Sequence, residues 1–74
     1  MERLYFTKNS ISHFNVRGEY LYINFKSKDD QLTIVETDEL KMNKLVDKLL
    51  FMIRSIDGKY VAYYDYDSDE LRID

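Results

Sequence analysis

The chain of 74 residues carries 45% apolar and 34% charged side chains and a formal net charge of −3, the composition of a folded globular protein rather than a disordered one. It has no cysteine, which excludes a disulfide framework and a thiolate metal site, and its longest apolar run, Leu49 to Ile53, is far short of the roughly 20 residues that span a bilayer. A chain this short has room for one core and buries only about 60% of the surface it exposes when unfolded, so residues 1–74 are expected to form a single small domain with a thin stability margin.

The first residues, Met1 to Phe6, show no apolar run behind a basic stretch, and together with the absent cysteines this gives an expectation of a cytoplasmic protein. The first third alternates with the period of a β-strand. Leu4 and Phe6 share a face opposite Arg3, Tyr5 and Thr7, and Phe14 and Val16 oppose His13, Asn15 and Arg17. From Tyr20 to Lys26 the pattern is cleanest, with Leu21, Ile23 and Phe25 inward and Tyr20, Tyr22, Asn24 and Lys26 outward. Gly18, free to adopt positive φ, marks a tight hairpin between Val16 and Tyr20. Lys28-Asp29-Asp30 makes the next turn, and Gln31 to Glu36 the next strand. Connections this short predict a meander of neighbouring antiparallel strands.

Periodicity then changes to the helical one. Leu40, Met42, Leu45, Val46, Leu49, Leu50, Ile53 and Ile56 recur at spacings of three and four, predicting a helix over 38–56. Thr37 or Asp38 serves as its cap, and Asp57-Gly58 as its stop. Nineteen residues span roughly 28 Å. The β-branched and aromatic run Lys59 to Tyr66 predicts a final strand, which residues 67–74 either extend or leave as a frayed tail. The expected fold is α+β: an antiparallel sheet of about four to five strands with one long helix on one face, in the order β-β-β-β-α-β.

The inventory for catalysis is sparse. There is one histidine, His13, and none of Ser10, Ser12, Ser27, Ser55 or Ser68 stands in a Gly-x-Ser-x-Gly elbow. Two glycines cannot build a phosphate-cradling loop. No enzyme activity, metal or cofactor is expected. Asp65-Tyr66-Asp67-Ser68-Asp69-Glu70 opens like a calcium loop, but its sixth position is Glu70 where the sharp turn needs glycine.

Binding surfaces are better supplied. Residues 1–28 hold five Lys or Arg against two Glu, while residues 29–74 hold six against twelve acidic residues, so the modest net charge conceals segregation. If the last strand continues, Asp65, Asp67 and Asp69 line one face about 6.6–6.8 Å apart, with Glu70 adjoining. That spacing is comparable to the phosphates of an extended nucleic-acid strand. Small acidic inhibitors of phages and mobile elements, of the anti-CRISPR and anti-restriction type, act through such surfaces. The similarity is one of size and charge, and no motif carries it. A one-signed face of this kind attracts a protein with a basic groove. The plain alternative is that the carboxylates keep a small domain soluble and guard an edge strand.

A second surface is the outward face of the first strands, with Tyr5, Arg17, Tyr20, Tyr22 and Lys26. Tyrosine has a large apolar body and a polar tip, which suits a protein interface or a homodimer seam. Aromatics interleaved with basic residues also stack bases in nucleic-acid-binding sheets, although the acidic balance opposes affinity for phosphate.

Overall fold

In the computed structural model, residues 2–27 and 31–73 are described, and the expected turn at Lys28-Asp29-Asp30 lies outside them. The expected α+β architecture holds, but its strands form two three-stranded antiparallel sheets in place of one larger sheet. Strands β1 (Arg3–Phe6), β2 (Ile11–Arg17), β3 (Tyr20–Phe25) and β4 (Gln31–Val35) precede helix α1 (Glu39–Arg54), which is followed by β5 (Ala62–Asp65) and β6 (Glu70–Ile73). One sheet has the order β2-β3-β4 and the other β1-β5-β6.

The division begins at a 3-10 turn, Lys8–Ser10, which periodicity does not reveal. The Ser10 N–H closes it on the Thr7 carbonyl (3.0 Å), and the turn redirects β1 away from β2. β1 pairs with β5, 56 or more residues on, with Leu4 opposite Tyr64 and Phe6 opposite Ala62. The meander therefore covers only β2, β3 and β4. A register shift between Ile11 and His13 interrupts the alternation of β2. Strict alternation places Ile11 on the outward side with His13. The bulge inserts an extra residue, so Ile11 pairs with Phe25 on the buried side while His13 pairs with Asn24 on the outer one.

The β2–β3 hairpin forms as expected, with a two-residue loop at Gly18-Glu19. Gly18 has φ +60° and Glu19 is not left-handed, the pattern of the II′ turn whose twist suits adjacent strands. Helix α1 is shorter than expected, ending at Arg54 rather than Ile56. Asp38 caps it, its Oδ1 accepting the N–H groups of Leu40 (2.9 Å) and Lys41 (3.4 Å). The Lys8 ammonium donates to the Ser55 carbonyl just past the other end, where the dipole favours a cation.

The buried stripe of the helix is Met42, Leu49 and Met52, with Leu45 and Val46 alongside. Leu40 and Ile56, expected on that stripe, are 72% and 100% exposed because they fall at the first turn and beyond the last. Met52 completes the steps of three and four from Met42 through Leu45 and Leu49. It is fully buried. The core joins this stripe to both sheets, through Leu21, Ile23, Leu32 and Ile34 of one and Phe6, Ala62, Tyr64 and Leu71 of the other. Phe6 meets Phe25 edge to face across the seam, with centroids 5.1 Å apart.

The last correction is at the acidic end. β5 stops at Asp65, residues 66–69 form a turn, and Glu70 to Ile73 fold back as β6 against β5. The order is β-β-β-β-α-β-β. Of the residues expected to extend the strand or fray, 67–69 lie in the turn and 70–73 form β6, and Asp74 lies outside the described residues.

Candidate interaction surfaces

Each sheet turns one face to the core and one outward, and the observed register fixes the members of both outward faces. Directly paired residues of antiparallel strands share a face. On the β2-β3-β4 sheet the outward rows are Arg17–Tyr20–Val35, Asn15–Tyr22–Thr33 and His13–Asn24–Gln31. Arg17, Tyr20 and Tyr22 are thus brought together as expected. Tyr20 and Tyr22 lie two residues apart on β3 and stack, with centroids 6.1 Å apart and planes 20° from parallel. Tyr20 is 45% exposed and Val35 is 56% exposed, so the patch offers apolar area as well as hydroxyl and guanidinium groups. Asn24 and Gln31 join side chains at 3.2 Å along its lower row. Val35 and Thr33 were not visible as members from the sequence, since only the β3–β4 register adds them.

Tyr5 and Lys26 do not belong to this patch. Lys26 lies just beyond the end of β3, its N–H bonded to the Ser10 carbonyl (2.9 Å). Tyr5 sits on the outward face of the other sheet, in the row Tyr5–Tyr63–Arg72, beside the row Arg3–Asp65–Glu70. Tyr5 and Tyr63 approach to 5.3 Å between centroids, and the Arg3 guanidinium lies 4.7 Å above the Tyr63 ring. Arg3 also reaches Asp65 (Nε–Oδ2 3.5 Å), and Arg72 pairs with Glu70 (3.0 Å). The charges of this face are largely satisfied by each other. Arg3, Tyr63 and Arg72 escape sequence reasoning because their partners are contributed from opposite ends of the chain.

The acidic ladder is not built. Asp65 closes β5 and uses its Oδ1 to accept the N–H groups of Asp67 (2.9 Å) and Ser68 (3.4 Å), the local turn that aspartate favours. Burial raises the cost of charging Asp65, yet these N–H donors and Arg3 outweigh it and hold its carboxyl below the usual range. Asp69 adopts φ 56° and accepts the Tyr64 hydroxyl at 2.7 Å. Glu70 is on β6. With Asp65, Asp67, Asp69 and Glu70 divided between two strands and a turn, the even spacing expected on one face is absent. The Asp65 and Asp69 carboxylates are engaged in shaping the hairpin that joins β5 to β6, and Glu70 pairs with Arg72.

His13 is exposed beside the Ser12 hydroxyl, with 3.1 Å between Oγ and Nδ1. Among the described residues, no three His, Asp or Glu side chains gather in an arrangement that could hold a metal ion. No helix among the described residues is long and apolar enough to cross a membrane. No family model, curated protein or solved structure matches this chain.

Proposed function

We propose that this chain is a non-enzymatic protein-binding module that engages its partner through the outward face of the β2-β3-β4 sheet. The observation that carries the proposal is the stack of exposed Tyr20 on partly buried Tyr22, flanked by Arg17 and Val35. Tyrosine and arginine are the residue types that concentrate binding energy at protein interfaces, and a preordered stack loses little side-chain entropy on contact. An inhibitor role against a partner with a basic groove would need a one-signed surface. Asp65 and Asp69 spend carboxylate oxygens on their own turn and Glu70 is paired with Arg72, so the tyrosine face supports binding better than nucleic-acid mimicry does.

Affinity capture from a host lysate, comparing the wild type with a Tyr20→Ser/Tyr22→Ser variant of matched circular dichroism, tests the proposal. A protein retained by the wild type and lost from the variant is the expected result. Equal retention by both would exclude this face. Saturable binding of a single-stranded oligonucleotide at low salt, abolished by the same substitutions, would replace the protein partner with nucleic acid.

A further inference from the structure

Each sheet keeps an open edge beside helix α1, β4 in one and β6 in the other, and a groove of about 420 Å³ is lined by both edges and the helix. Hydrogen bonds set the phase of each edge. The Glu36 N–H donates to the Glu19 carbonyl (2.9 Å), so β4 turns the backbone groups of Leu32 and Ile34 to β3 and those of Thr33 and Val35 to the open side. In the other sheet, the Tyr66 N–H donates to the Glu2 carbonyl (3.0 Å). Ala62 and Tyr64 therefore bond β1, Tyr63 and Asp65 bond β6, and β6 turns Leu71 and Ile73 to the open side.

Unpaired edges are ordinarily guarded by charge, proline or a covering element. β4, Gln31-Leu32-Thr33-Ile34-Val35, has neither a charged residue nor proline. The charge beside it comes instead from the helix, whose Lys41, Lys44 and Lys48 line the groove around Leu45. None of these three lysines forms an ion pair with a described carboxylate, whereas Arg72 across the groove is already matched by Glu70. The groove therefore combines two sets of unused backbone groups, the apolar lining of Ile34, Val35, Leu45, Leu71 and Ile73, and a stripe of three lysines. The lysines outnumber the two further carboxylates of the lining, Glu36, which accepts the Asp38 N–H (3.2 Å), and Asp69, which accepts the Tyr64 hydroxyl (2.7 Å).

We propose that this groove accepts an extended acidic peptide segment of a partner protein, which adds as a strand alongside β4 and β6 and sets its carboxylates against Lys41, Lys44 and Lys48. Main-chain bonds to the edges supply affinity that is independent of sequence, and alternate side chains directed at the helix supply the selection for acid. Such a strand would also cover the one edge of the molecule that its own sequence leaves unguarded. The groove is distinct from the tyrosine face, sharing only Val35 at its border.

A fluorescein-labelled octapeptide of alternating glutamate and valine tests the proposal by anisotropy and amide NMR. Saturable binding is expected, with the amides of Thr33, Val35, Leu71 and Ile73 shifted and protected from exchange. The Lys44→Glu/Lys48→Glu variant, whose exposed positions should leave circular dichroism unchanged, should bind at least tenfold more weakly, and Tyr20→Ser/Tyr22→Ser should bind as the wild type does. Absence of saturable binding would overturn the proposal, as would equal binding of a control octapeptide of alternating lysine and valine. Equal binding of an octapeptide N-methylated at alternate residues would reduce the contact to charge alone and overturn strand addition. Protection of the same four amides by a concentration-dependent dimer, without peptide, would assign the groove to a second copy instead.

Discussion

Tyr64 is buried in the core with its hydroxyl donated to Asp69 Oδ1 at 2.7 Å, so one side chain ties β5 to the left-handed residue of the following turn. Burial, then the bond and the charge of Asp69, push its pKa up to about 12. A folded-state value above the ordinary value near 10 means the fold favours the protonated phenol. Its contribution is complete below about pH 10 and is lost as pH rises through about 12. Tyr64→Phe should cost about 1 kcal/mol at neutral pH and should flatten the alkaline decline of stability. Urea unfolding of both proteins at pH 7, 10 and 12 checks this, and parallel profiles would contradict it. Asp65 shifts the other way, so its contribution is present above the ordinary carboxylate range and is lost in acid. Neither role is legible in the sequence. Asp65 and Asp69 look like members of a charged ladder until the turn between them is known.

Among the elements, α1 was the most legible because its period, cap and composition agree. Asp38 is the cap, and Asp38→Ala should destabilise the protein by about 1 kcal/mol while Asp38→Gly costs only a few tenths. In a domain of this size the alanine variant should melt about 4–8 °C lower, measured by circular dichroism at 222 nm, and an unchanged midpoint would show that the cap does not limit stability. The strands of the first third were legible as strands but not as partners. Alternation names two faces, and only pairing says which strand adjoins them. Ile11 illustrates the point, since alternation counted back from His13 would put it on the outer face and a bulge of one residue turns it to the core. The last hairpin is not legible in the sequence because aspartates and a serine fit both a solvated strand and a turn, and no glycine marks the left-handed position that Asp69 occupies.

At the scale of the molecule, two small sheets and one helix share a single core in which Leu21, Ile23, Leu49 and Met52 are the largest fully enclosed side chains. Neither sheet has more than three strands, so each depends on the helix and on the other sheet for burial of its inner face. Leu49, on the helix and wholly buried, should be the most sensitive point of that arrangement. Leu49→Ala should cost about 2–5 kcal/mol, a large part of the 5–15 kcal/mol typical of a folded domain. Equilibrium urea denaturation would measure the loss, and a loss under 1 kcal/mol would show that the core relaxes around the cavity.

The sequence by itself determined what is local. Composition excluded a disulfide scaffold, apolar spacing located the helix, alternation located the first strands, and Gly18 located their tight turn. These follow from backbone geometry acting over a few residues. Tertiary structure decided which strands pair and therefore which surfaces exist. The 3-10 turn after β1 sends that strand to β5, separating Tyr5 from Tyr20 and Tyr22, and the return of the chain after Asp65 dissolves the acidic ladder. The same two events leave β4 and β6 as open edges beside the lysines of α1. Such juxtapositions depend on residues tens of positions apart, joined by a shared core that no short-range pattern encodes.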